Sequence, residues 1–342
     1  MAWQHIRISH FGGPDVLELA TEEALPEPGP GEVRIKVLAA GTGFTDTFIR
    51  MGRYPDFKGP LPFTPGYDLV GTVDALGAGV TGLTPGQMVA DLTVVGGYAQ
   101  YAVRRAATLV PVPEGIDPAE AVCLPLAYMT AYQMLARAAG IEAGATILVI
   151  GASGSVGSAL LDLARAMGLR AIGTCSAANM AVVESHGAEA IDYRAEDFTA
   201  AVLRATGGRG VDAAFDAIGG AHFKRTFAAL APGGVLVGYG SQTMATGGES
   251  LIAAGLGLLR LRLWTLLSPL WGGRRAVWYS ITDRRKAHPE QFAEDMAKLL
   301  SCLKDGRIRP VVAARLPLSA AADVHRRIGK GGIGGKVVLL PW

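Results

Sequence analysis

Apolar and polar positions alternate along the first third of the chain. In Glu32–Ala40, Val33, Ile35 and Val37 stand against Glu32, Arg34 and Lys36, the pattern of a strand with one buried face. Ile6–Ser9 and Leu17–Ala20 alternate around the turn Gly12-Gly13-Pro14. Val70–Leu76, Met88–Leu92 and Tyr98–Val103 follow, with turns at Thr84-Pro85-Gly86 and Gly96-Gly97. This stretch predicts a mostly β, partly open barrel-like domain. At Pro118–Ala136 the rhythm becomes helical. The run from Thr146 to Ile150 is then unbroken and too short for a helix. It meets a glycine-rich turn, after which Val156, Ala159, Leu160, Leu163, Ala164 and Met167 recur at helical spacing. Strand, tight turn and helix are expected there. Arg170–Cys175 as a strand, Ala177–His186 as a helix closed by Gly187, and Ala190–Asp192 as a strand continue the alternation. Glu196–Ala205, Val211–Phe215, Ala221–Leu230 and Val235–Tyr239 extend it. Repeated strand–helix units predict an α/β domain with a doubly wound parallel Rossmann sheet. Beyond an apolar stretch, Pro289–Lys304 reads as an amphipathic helix. Val311–Leu316, Ala320–Ile328 and Val337–Leu340 read as strand, helix and strand.

A length of 342 residues suits two domains better than one core. The dinucleotide-binding unit, expected over 122–270, lies in the middle, so the barrel-like domain is assembled from 1–121 and 271–342. A net charge of +2 with 18% charged residues leaves no basic face of the kind that nucleic acid requires. Cys123, Cys175 and Cys302 are far apart and form no Cys-x-x-Cys pair, and the start Met1–Arg7 has no secretory apolar core. Reduced thiols and a cytoplasmic location are the expectation. Ile252–Leu270 is mostly apolar, but Arg260, Arg262 and Pro269 make a stable membrane span costly. An amphipathic helical excursion over a pocket or at an interface is expected instead, with peripheral membrane contact as the lesser alternative.

The turn itself carries chemistry. Gly151-Ala152-Ser153-Gly154-Ser155-Val156-Gly157 contains the spacing Ala152-x-Gly154-x-x-Gly157, a variant of the dinucleotide fingerprint with alanine at its first glycine. Small residues let the backbone approach a pyrophosphate, Gly157 lets the helix pack on its strand, and the helix N-terminus favours an anion.

With these stretches in view, the chain resembles the medium-chain dehydrogenase/reductase superfamily over essentially its whole length, in the zinc-free quinone oxidoreductase (zeta-crystallin-like) branch. Besides the turn, the resemblance rests on Asp46–Pro55, on Thr64–Gly71 with its Thr64-Pro65-Gly66-Tyr67-Asp68, on Leu124-Pro125 through Thr130-Ala131-Tyr132, and on Gly331–Leu340 around Gly335-Lys336-Val337. It implies a GroES-like catalytic domain beside the Rossmann domain. It also implies a homodimer paired through the edge strands of the nucleotide sheets, and an NAD(P)H-dependent reductase of quinones or conjugated carbonyl compounds.

The zinc branch places a cysteine within the stretch matching Ala40–Asp46 and Gly-His-Glu where this chain has Gly66-Tyr67-Asp68. Neither thiol nor imidazole is present, so no metal site is expected, and a zinc alcohol dehydrogenase is disfavoured. His5, His10, His186, His222, His288 and His325 are scattered and read as packing or surface residues. Without a Lewis acid, a conjugated acceptor is favoured, because it takes hydride at carbon and delocalises the charge. Tyr54 is the leading proton-donor candidate by resemblance, with stacking at the rim as the competing role. Tyr67, at the displaced zinc-ligand position, is the second candidate, with structural filling of the metal's space the stronger reading. Gly43 and Phe48 stand where the family commonly has asparagine and tyrosine. The pocket loses two polar contacts, which favours a bulkier or more apolar acceptor.

At the end of the second nucleotide strand, Thr174, Cys175 and Ser176 are neutral, so a 2′-phosphate is not repelled. The family's phosphate-binding lysine falls at Met180. Ser176, Asn179 and Tyr193 match or neighbour phosphate-contacting positions, Arg194 adds charge, and NADPH is favoured over NADH. By resemblance Thr130, Tyr239, Gly240 and Lys336 belong to the nicotinamide end. Asp216 reads as a turn-capping residue. The competing class is a catalytically weak nucleotide-binding or membrane-associated relative that acts as a binding protein.

Overall fold

A computed structural model describes residues 2–240 and 251–342 of the chain. It divides into one unit formed by Met1–Met129 with Glu290–Trp342 and a second formed by Thr130–Pro289.

In the first unit the long strand Glu32–Gly41 is central. It pairs antiparallel with Asp68–Leu76, Tyr101–Arg105 and Lys336–Leu340. Its apolar positions, Val33, Ile35 and Val37, are fully buried with Leu69, Val73 and Val89, as the alternation predicts. Lys336–Leu340 also pairs parallel with Val312–Pro317. The sheet ends at Val110–Pro111 on one side and Val312–Pro317 on the other, so among the described residues it is an open sheet and not a closed barrel. A second cluster, built on Ile6, Ile8, Val324 and Leu339, packs the helix Ala321–Lys330 against the sheet.

The second unit carries a parallel sheet. Its strand order is Glu189–Asp192, Arg170–Cys175, Thr146–Val149, Val211–Asp216, Leu230–Gly238 and Arg275–Trp278. Chain order reverses between Thr146–Val149 and Val211–Asp216. That is the topological switch point at which doubly wound sheets bind ligands beyond their carboxyl ends.

Both domain limits differ from the expected 121/122 and 270/271. Arg275–Trp278 pairs parallel with Val235–Gly238 and so belongs to the nucleotide sheet, together with the helix Ile281–Ala287. The unit therefore runs on to Pro289. The apolar excursion is helical over Leu251–Leu266. No described helix is long and apolar enough to cross a membrane.

Candidate functional site

The nucleotide turn follows the first strand of the second unit. Gly151 holds φ +70, a left-handed conformation that favours glycine. Its N–H donates to Thr174 Oγ1 at 3.2 Å, and Ala152 N–H donates to the Thr174 carbonyl at 2.8 Å, which ties the turn to the adjacent strand. The helix Ser155–Ala166 begins at Gly154, leaving its first N–H groups at the carboxyl edge of the sheet. A Cβ on Gly157 would collide with the Gly151 carbonyl, whereas one on Gly154 would meet the same oxygen only at 3.4 Å. Gly157 is therefore required by packing, and Gly154 leaves open room. Ser153 is buried, and its hydroxyl accepts a hydrogen bond from Asn179 Nδ2 at 3.2 Å. Ser176 is half-buried and Tyr193 exposed, and Tyr193 N–H donates to the carbonyl of Cys175, next to Ser176, at 3.2 Å. The Arg194 guanidinium lies over the Tyr193 ring at 5.6 Å. These residues form a small-residue cradle with polar walls and no acidic side chain, which fits a dinucleotide.

Thr130, at the start of this unit, is buried, and its hydroxyl has no hydrogen-bond partner among the described residues. A buried donor in that state is what a ligand carbonyl or amide would satisfy. Tyr239 N–H donates to the Asp216 carbonyl at 3.0 Å. Burial, then Asp216, raises the Tyr239 phenol above its ordinary range. Gly240 packs against Ala217, with no room for a Cβ. Asp216 caps its turn as expected, accepting from Ile218 N–H at 2.7 Å. It also holds His222 Nδ1 at 2.7 Å and the Thr226 hydroxyl at 2.6 Å. His222, stacked on Phe198, is thus a packing residue.

The first unit brings together a second group. The Tyr54 and Tyr67 phenol oxygens are hydrogen-bonded at 2.7 Å, with the rings edge to face. Tyr67 is fully buried and Tyr54 half-buried. Burial first, then Tyr54, raises the Tyr67 phenol well above its ordinary value. The turn that carries Tyr67 depends on Gly66 at φ +109, where a Cβ would strike Tyr98 N at 2.5 Å. The Tyr67 carbonyl accepts from Thr93 N–H at 2.8 Å and from Val94 N–H at 3.2 Å. Val94 itself holds φ 66, a conformation that β-branched residues avoid, so backbone strain sits beside the phenol pair.

Near the phenols lies a buried ionic cluster, of whose members only Lys336 is expected from the sequence at the site, at the nicotinamide end. Lys336 Nζ donates to Asp68 Oδ2 at 2.6 Å, with lysine 3% and aspartate 0% exposed. Gly41 makes room for the pair, since a Cβ there would collide with both side chains. Asp46, also fully buried, caps the helix Phe44–Arg50 by accepting from Gly43 N–H at 2.8 Å. The Tyr98 hydroxyl and His325 Nε2 are hydrogen-bonded at 3.2 Å. Burial, then Arg50, lowers His325 to about 3, so the ring is neutral. Lys336 is thus the partner of a carboxylate within its own unit. The sequence signal for this cluster is weak: two aspartates and a lysine inside otherwise apolar segments.

Burial, then the neighbouring Asp68, raises Asp46 to about 7 from 3.8. The folded chain binds this proton more tightly than the unfolded chain does. Stability from the group is complete below about pH 4 and is lost as pH rises towards 7. Asp46→Asn removes that loss. Its melting temperature, taken relative to the native chain, is expected to climb between those two pH values in a calorimetric series. A difference that stays constant with pH contradicts the assignment.

Comparison with known proteins gives one direction. Residues 29–114 match the alcohol dehydrogenase GroES-like domain family, and residues 186–339 match the zinc-binding dehydrogenase family. Human quinone oxidoreductase is 31% identical over 98% of this chain and 97% of its own. The Pseudomonas aeruginosa quinone oxidoreductase is 32% identical over 99% of both chains. The chain belongs to the quinone oxidoreductase branch of the medium-chain dehydrogenase/reductase superfamily. Its similarity to solved members of that superfamily extends to the fold. The Escherichia coli quinone oxidoreductase complexed with NADPH has a TM-score of 0.86 at 26% identity, covering 99% of this chain and 100% of that one. A mycobacterial protein complexed with NADPH gives 0.85 at 29% identity, with the same coverage. At the superfamily's zinc-ligand position this member has the Tyr67 phenol. Among its described residues no group of three or more His, Cys, Asp or Glu is placed to hold a metal.

Proposed function

We propose that the protein is an NADPH-dependent, zinc-independent oxidoreductase that delivers hydride to a quinone or to an α,β-unsaturated carbonyl compound. The observation that carries this reading is the phenol pair. A half-buried Tyr54 is backed at 2.7 Å by a buried Tyr67, where the zinc branch would place a metal ligand. NADPH supplies the hydride when bound. The cradle Gly151–Gly157, the orphaned Thr130 hydroxyl, and the neutral Ser176 and Asn179 with Tyr193 are the groups that would hold it; Tyr239 and Gly240 are assigned by resemblance to the nicotinamide end. Relatives solved with NADPH support that choice over NADH, as does the absence of an acidic residue among Thr174, Cys175 and Ser176.

Tyr54 is assigned as the proton donor. Tyr67 is the harder of the two to ionise, because it is buried deeper, so it keeps its own proton and donates it in a hydrogen bond to the Tyr54 oxygen. That bond stabilises the charge left on Tyr54 after proton release. Asp68 and Lys336 form a neutral pair that fixes the Tyr67 turn from behind. Gly43 leaves space above the Phe44–Arg50 helix. A Cβ there would meet Asp46 and Leu126 only at 3.6 Å, which favours a bulkier or more apolar acceptor. Pairing of two copies through the edge strand Arg275–Trp278 is the assembly that the family suggests.

Oxidation of NADPH and NADH, followed by absorbance against quinones, 2-alkenals, enones and enoyl thioesters with a chelator present, tests the reading. Chelator-resistant turnover with NADPH and one acceptor class is expected. Tight NADPH binding without turnover on any acceptor would assign the chain to the nucleotide-binding proteins instead.

A further inference from the structure

Among its described side chains, the helix Leu251–Leu266 is anchored along one side. Leu261 is 2% exposed and joins the core with Phe223 and Ala276. Trp264 stacks on Phe227 at 4.4 Å, and Thr265 Oγ1 accepts from Ala276 N–H at 3.0 Å. With Gly257, these positions recur at i, i+4, i+7 and i+8, a single helical face. The opposite face is apolar too, and it faces water. Leu256 is 58% exposed, Leu259 52%, Leu263 45% and Leu266 75%, and just beyond the helix Leu270 is 76% and Trp271 45% exposed. Helical geometry places Leu256, Leu259, Leu263 and Leu266 in one stripe, with exposed Arg260 and Arg262 on its two flanks. A contiguous apolar stripe of this kind marks a contact surface.

Charge decides what fits it. From Leu256 to Leu270 the only charged residues are Arg260 and Arg262, with no acidic residue, in a chain whose 32 basic and 30 acidic residues otherwise nearly balance. A second copy of the same leucine stripe would bring Arg260 and Arg262 against their own counterparts, because a two-fold interface sets a surface against itself. An anionic lipid surface supplies the missing charge, takes the leucines into its acyl boundary, and suits a tryptophan at headgroup level. Flanking arginines bury their stems and keep their heads among phosphates. We infer that this leucine stripe docks the protein onto the surface of an anionic membrane, lying in the interface without spanning it. The inference stands whichever acceptor the enzyme reduces.

Co-sedimentation of the full chain with vesicles of phosphatidylcholine alone, and with about a third phosphatidylglycerol, tests it. The native protein is expected to pellet with the anionic vesicles at low salt and to be released by high salt. The pair Leu266→Asp and Leu270→Asp should weaken partitioning more than about ten-fold. The pair Arg260→Gln and Arg262→Gln, at exposed positions that packing does not use, should weaken it about ten-fold or more. Thermal melting and NADPH binding of each variant report its fold. Native protein that stays in the supernatant with both vesicle types overturns the inference, as do folded variants that pellet as well as the native chain. If the native chain ignores lipid and is a dimer that the leucine variants split into monomers, a second copy covers the stripe and the inference is wrong.

Discussion

Replacement of Lys336 by methionine is expected to destabilise the fold by about 3–5 kcal/mol at neutral pH. The ammonium is the charged partner of Asp68 at 2.6 Å in a site where neither side chain reaches water to any useful extent. Removing it leaves Asp68 buried without its counter-ion, in the field of Asp46, which burial already raises to about 7. Asp68 would then take up a proton rather than remain charged. Two signatures separate this mechanism from simple loss of packing. The deficit should shrink as pH is lowered, since protonation removes the buried charge. The double variant Lys336→Met with Asp68→Asn should recover much of the loss, because neither remaining group needs a counter-ion. Chemical denaturation at neutral and mildly acidic pH measures both. A deficit that is small, independent of pH and unrescued by Asp68→Asn contradicts the role given to the cluster.

Tyr54→Phe is expected to lower kcat by about a hundred-fold or more, the usual worth of a positioned general acid, with little effect on melting because the ring is only half-buried. Tyr67→Phe keeps the donor but removes the hydrogen bond that stabilises the charge developing on it. A smaller loss, about ten-fold, is expected, together with an upward shift of the alkaline limb of the kcat profile. Turnover of Tyr54→Phe within about two-fold of the native enzyme would show that the phenol stacks at the rim without proton transfer. Solvent would then be the source of the proton.

The central features of both units were legible in the sequence because they are local. An apolar run, a glycine turn and a helical period lie consecutively from Thr146 to Met167. The alternation of Glu32–Ala40 names its own buried face. Arg275–Trp278 could not be read that way: four residues without alternation, directly after an apolar helix, become a strand only by pairing with Val235–Gly238. That is why the expected domain limit fell short. Tyr54 and Tyr67 were each legible as candidates, but their contact was not, since it depends on the positive φ of Gly66 and on the anchoring of that turn by Thr93 and Val94. The ionic cluster was hidden for a similar reason. Its members Asp68 and Lys336 stand 268 positions apart, and a charged residue inside an apolar strand announces burial without naming its partner. The excursion Ile252–Leu270 was recognisable as apolar. Which of its faces meets water is decided by Leu261, Trp264 and Thr265, whose packing partners lie elsewhere in the chain.

The most direct test of the proposed chemistry is the fate of the hydride. Chelator-treated enzyme is supplied with NADPH deuterated at the transferring position and with a simple conjugated enone, and the product is analysed by mass spectrometry and proton resonance. The expected result is a saturated ketone with one deuterium on the carbon β to the carbonyl, with Tyr54 as the proposed source of the proton. Deuterium on the carbonyl carbon of an allylic alcohol would contradict that reading, because the hydride would then have gone to the carbonyl carbon and not to the conjugated carbon.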